Sequence, residues 1–113
     1  MSRGVDQRIS DILIAIEKCK QYSPYLAVTN DNDLVNMAED AIVRNLQIIG
    51  EAANHLPESI TKAHPEVPWA QIRGFRNILV HQYFGVKLEI VLDVVVTHLP
   101  PLAAILELYY KSQ

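Results

Sequence analysis

The stretch from Leu34 to Leu56 constrains this chain most. Leu34, Met37, Ala38, Ala41, Ile42, Leu46, Ile49, Ala53 and Leu56 recur at three- and four-residue steps. At about 3.6 residues per turn they form one apolar face along about six turns of helix. The same spacing appears before it. In "VDQRISDILIAIEKCK", Ile9, Ile12, Leu13, Ile16 and Cys19 make one stripe, with Asp6 or Ser2 as a candidate cap. Between the two, "SPYLAVTNDND" carries Pro24 and a run of turn formers, so it is expected to break the helix, with the next one starting near Asp33.

Beyond Pro57, which is expected to end the long helix, "ESITKAH" suits a short helical turn. "HPEVPW" is a connector, and Pro68 suits the first turn of the helix after it. That third main helix is expected from Trp69 to His81 or Tyr83, with Trp69 as its anchor and Ile72, Phe75, Ile78 and Leu79 turned inward. Gly85 closes it. The last helix starts near Lys87. Its segment "LEIVLDVVVTHL" is rich in β-branched residues, yet Leu88, Val91, Leu92, Val95 and Leu99 keep helical spacing. Pro100 and Pro101 are expected to kink or divide it before "LAAILELYYKSQ". The expectation is an all-α fold, an up-and-down bundle of four to five helices in one domain over residues 1–113.

Composition narrows the function. Half of the 113 residues are apolar, enough for a core without metal or disulfide support, and Cys19 is the lone cysteine. The polar start "MSRGVDQRIS" and the short apolar runs give no expectation of a signal peptide or membrane span, so a cytoplasmic protein is expected. A net charge of −3 argues against a general nucleic-acid coat. The charge is uneven, though: residues 62–87 carry +3 and the remainder −6. A small basic site on an acidic body suits a phosphate-bearing ligand contacted locally.

That basic segment contains "GFRNILVHQYFGV". Its histidine titrates near neutrality and can move a proton. Its arginine offers a planar, permanently charged fork to a phosphate. Asn77 can orient a nucleophile or a phosphate oxygen. These parts suffice for metal-free RNA cleavage, in which a ribose 2′-OH attacks the adjacent phosphate. No cofactor and no metal are expected, since His55, His64 and His98 share no ligand spacing. Arg73 lies one turn before Asn77 and extends the same face as a candidate phosphate contact. Arg76 and His81 are five residues apart, about 140° around a helix. Either the helix unwinds near His81, or Arg76 reaches around, or two copies of the helix meet across a dimer. The apolar excess of "EIVLDVVVTHL" suits the dimer.

"FRNILVHQYFGV" also resembles the signature of the HepT-type ribonuclease toxins of the HEPN superfamily. "AIVRNLQIIGEAANHLP", "HPEVPWAQIRGFRNILVH" and "LEIVLDVVVTHLPPL" resemble that family's second, third and last helices. The resemblance implies a HEPN-like bundle, usually dimeric, with the active cleft between the copies. It implies a metal-independent endoribonuclease acting as the toxin of a toxin–antitoxin pair. Arg76 and His81 become the catalytic pair and Asn77 a polar helper, standing where many relatives have Asp. The implied partners are an RNA substrate and a minimal nucleotidyltransferase antitoxin, with Tyr83 as acceptor of AMP. The alternative is a non-catalytic, nucleotide-binding partner subunit of that nucleotidyltransferase. Among other residues, Glu51 has two readings, facing the cleft or solvated, of which the solvated one is expected, and Tyr109 and Tyr110 are expected to serve packing or dimer contacts.

Overall fold

The computed structural model describes residues 4–28, 30–75 and 93–111, and these are helical with short connections. The elements are α1 (Val5–Tyr22), α2 (Pro24–Val28), α3 (Asn32–Asn54), α4 (Glu58–Thr61), α5 (Trp69–Arg73), a π-helical turn (Val94–His98) and α6 (Leu99–Lys111). The all-α expectation is met.

Helices α1 and α3 form the centre. The stripes expected from spacing are the ones that pack: Ile9, Ile12, Ile16 and Cys19 from α1 meet Ile42, Leu46, Ile49 and Ala53 from α3. The two run antiparallel. Near the end of α1 the Cys19 thiol donates to the Ile42 carbonyl at 3.9 Å, while Arg8 at its start shares a cleft with Arg44 and Glu51. Helix α6 closes one side of α1 with Leu99, Leu102 and Leu106, each fully buried, and α5 packs on α3. Burying one such side chain stabilises the fold by roughly 1.5–3 kcal/mol. The buried Asn45 satisfies its amide by donating to the Ala41 carbonyl at 2.8 Å, one turn back.

Several boundaries differ from expectation. Asp6 is not the cap of α1, and Ser2, the other candidate, lies outside the described residues. Gly4 holds that position without a side-chain bond, and Asp6 lies in the first turn, where its charge suits the helix dipole. The segment expected to be a plain break forms α2, because Pro24 stands at a first helical position, where a missing N–H costs nothing. Helix α3 begins at Asn32, capped by Asp31, whose carboxylate accepts from the Leu34 N–H at 3.1 Å. It ends at Asn54, three residues before Pro57. That proline instead precedes α4, the short turn expected in "ESITKAH".

Pro100 and Pro101 do not divide the last helix. They occupy the second and third positions of α6, and the backbone departs from α-helix just before them. There the chain widens into the π-helical turn, in which the Leu99 N–H bonds the Val94 carbonyl five residues back. A proline ring crowds the carbonyl four residues earlier and donates nothing to it, so a wider turn relieves the crowding.

Candidate functional site

Arg76, Asn77, His81 and Tyr83 lie outside the described residues, as do Ile78, Leu79, Gly85 and the expected start of the last helix at Lys87. The structure does describe the frame that leads into them. Helix α5 ends at Arg73, followed by Gly74 and the buried Phe75. Ile72 is fully buried and Trp69 nearly so, which makes Trp69 the anchor expected of it.

The connector before α5 is held from three directions. The Val67 N–H donates to the His64 carbonyl at 3.1 Å, closing a turn with Pro65 as its second residue. The Trp69 indole N–H donates to the same carbonyl at 2.8 Å. The His64 ring reaches in both directions: Nε2 lies 2.9 Å from the Tyr109 hydroxyl of α6, and Nδ1 lies 3.4 Å from a Glu66 carboxylate oxygen. One tautomer satisfies both, with Nδ1–H donating to Glu66 and Nε2 accepting from Tyr109. Tyr109 therefore packs within the chain, as one of its two expected roles required, whereas Tyr110 is half exposed. A further tie joins His98 of the π-helical turn to Gln71 of α5, with Nε2 and Oε1 3.2 Å apart.

Arg73 is half-buried at the last turn of α5, where a cation suits the helix dipole. Its Nε is enclosed and makes no hydrogen bond among the described residues.

A polar cleft of about 420 Å³ opens between α1 and α3, lined by Arg8, Asp11, Arg44, Gln47, Ile48 and Glu51. Ala52 completes its floor. Glu51, expected to be solvated, is half-buried on this wall and also lies 3.5 Å from His55 Nε2. The Arg8 Nε is enclosed and makes no hydrogen bond among the described residues. Arg8 and Arg44 belong to no motif in the sequence. The signal available was the run Arg44, Gln47, Ile48, Glu51, which follows one helical stripe opposite the core. A second, more apolar cleft of about 550 Å³ runs between α1 and the last helix, where Leu13 and Ile16 face Val95, Val96 and Leu99.

Among the described residues no group of three or more His, Cys, Asp or Glu is placed to hold a metal ion, and no helix is long and apolar enough to cross a membrane. Cys19 is fully buried, and burial pushes its thiol up to about 12, so it is a core residue rather than a nucleophile.

Comparison with known proteins adds a family. The family described as "Ribonuclease HepT-like" matches residues 12–108. A Thermococcus cleftensis protein named "Probable ribonuclease HepT" is 31% identical over 102 residues, covering 90% of this chain and 92% of its own. A Methanocaldococcus jannaschii protein named "Putative RNase MJ0127" is 38% identical over 77 residues, 64% of each chain. A Caldanaerobacter subterraneus protein named "Putative RNase TTE0752" is 44% identical over 62 residues, 55% of each chain. The matched stretch thus spans less than two thirds of these last two relatives. No solved structure matches the chain.

Proposed function

The chain belongs to the HepT-like ribonuclease family, and from that premise we propose that it is a metal-independent endoribonuclease, the toxin of a toxin–antitoxin pair. The observation that carries this reading is the family match over residues 12–108, because it spans the whole Arg76-x4-His81-x-Tyr83 sequence.

In the proposed reaction His81 takes the proton from a ribose 2′-OH. The 2′ oxygen attacks the adjacent phosphorus, the bond to the 5′ oxygen breaks, and the proton passes to that leaving oxygen. The products are a 2′,3′-cyclic phosphate and a 5′-hydroxyl end. Arg76 offsets the charge gathered on the phosphoryl oxygens, and Asn77 orients one of them. Arg73, half-buried at the last turn of α5, adds a phosphate contact through its charge.

The active unit in this reading is a homodimer whose copies each bring Arg76 and His81 to a shared cleft. The offset of about 140° that helical spacing would give the two residues, about two fifths of a circumference, supports this arrangement. So do the apolar side chains left exposed on the surface, among them Val96 at 69% and Leu108 at 65%. The antitoxin is a minimal nucleotidyltransferase that transfers AMP to Tyr83, placing a charged, bulky group against the RNA path.

Co-expression tests the composite site. An Arg76→Ala chain and a His81→Ala chain are each expected to be non-toxic alone and to arrest growth together, because a mixed dimer keeps one intact pair. Two inactive chains that stay inactive together while still associating would overturn the shared cleft. Intact mass after co-expression with the antitoxin should rise by AMP units, and Tyr83→Phe should abolish that rise.

A further inference from the structure

The cleft between α1 and α3 has no part in the reaction just described, yet its lining is unusual for a helix–helix groove. Arg8 comes from the first turns of α1, and Arg44 from the middle of α3. The two guanidiniums share the cleft with Asp11, Glu51 and Gln47, while Ile48 supplies an apolar wall and is 38% exposed. The enclosed Arg8 Nε makes no hydrogen bond among the described residues. We propose that this cleft is a subsite for one nucleotide unit of an RNA strand, resting on the ribonuclease reading above.

Three properties select that ligand. The volume, about 420 Å³, lies within the range of small-molecule sites, roughly 300–1,000 Å³. The two arginines provide for a phosphate, by charge and by the fork geometry of the guanidinium. The two carboxylates and the amide then decide between anions. With Arg8 and Arg44 balanced by Asp11 and Glu51, the lining carries no net formal charge. A bare anion would gain little there. A nucleotide brings both an anion and donors, since its ribose hydroxyls and base N–H groups can donate to Asp11, Glu51 or the Gln47 carbonyl oxygen. The face of a base meets Ile48. A 2′-hydroxyl within reach of a carboxylate also gives the cleft a means of preferring RNA over DNA.

The subsite is tested by binding, separately from cleavage. Full-length His81→Ala protein in EDTA is titrated into a short fluorescent RNA and its DNA counterpart. The same protein carrying Arg8→Gln and Arg44→Gln is compared with it, and thermal unfolding checks that both are folded. The substitutions are expected to weaken RNA binding about tenfold or more, as loss of charge-assisted hydrogen bonds does. Amide signals of α1 and α3 should respond to 5′-AMP and not to inorganic phosphate at equal concentration. If the doubly substituted protein does not fold, Gln47→Glu provides the same reading, because it sets a carboxylate against the phosphate and keeps both guanidiniums. Unchanged RNA affinity, or an equal response to phosphate and 5′-AMP, would overturn the proposal. Cleavage by the unaltered chain is scored in parallel. Failure of the ribonuclease reading then appears as uncleaved RNA, and failure of the subsite as unaltered affinity.

Discussion

The His64 imidazole and the Tyr109 hydroxyl, 45 positions apart in the chain, meet at 2.9 Å with their rings edge to face. The contact ties the connector that starts α5 to the end of the last helix. Arg76 follows Phe75 in the sequence, so this tie fixes the last described part of the chain before the proposed catalytic segment.

Tyr109→Phe keeps the ring and removes the hydroxyl. It should cost about 1 kcal/mol, the usual net value of one hydrogen bond. Chemical denaturation would read the loss as a lower midpoint at unchanged slope. A variant as stable as the parent would mean that water replaces the phenol at His64 without cost.

Ile72→Ala tests the anchoring of the same helix through packing. Ile72 is fully buried against α3, and truncation of such a side chain costs roughly 2–5 kcal/mol. RNA cleavage at a temperature where the variant remains folded should also fall, because the helix that carries Arg73 loses its seat. A loss below 1 kcal/mol, on the order of a surface substitution, would show that the site collapses around the gap.

Cys19 gives the fold a pH dependence at the alkaline end. Its thiol is held up to about 12, against 9.0 for a free thiol. The neutral form is favoured in the folded state, so its stabilising effect is complete below pH 9 and declines as the pH rises from there towards 12. In that window the unfolded chain releases a proton that the folded chain keeps, and stability falls by up to about 1.4 kcal/mol per pH unit. Cys19→Ala should remove this group's share of the slope. Iodoacetamide should leave the folded protein unmodified at pH 8 and alkylate it in denaturant. Rapid native labelling would contradict the burial of Cys19.

Much of this was legible in the sequence, where a local rule acts alone. Ile42, Leu46, Ile49 and Ala53 declared the core of α3 because helical period alone puts them on one face. Met37 did not follow and is 67% exposed. It stands eleven residues before Ile48, about three full turns, and so shares the outward stripe of Arg44 and Ile48. Pro24 read as a breaker, though a proline's effect depends on whether its N–H would have been used. The π-helical turn escaped notice because Pro100 and Pro101 act on carbonyls that precede them. The Arg8–Arg44 cleft was hidden for a different reason. Its walls come from two helices, and only the antiparallel packing of α1 on α3 brings them together. In the segment that carries Arg76, Asn77, His81 and Tyr83 the residue types and their spacing were informative, and the roles proposed for them rest on that spacing and on the family.

The central claim is that this chain cleaves RNA without a metal, through His81. The most direct measurement incubates purified protein with a defined RNA in excess EDTA and compares it with His81→Ala of equal thermal stability. The unaltered chain is expected to cleave the RNA and leave new ends bearing 2′,3′-cyclic phosphate, with a rate about 10²–10⁴-fold lower in the variant, the usual contribution of general acid–base catalysis. Cleavage abolished by EDTA, or retained at full rate by His81→Ala, would contradict that claim.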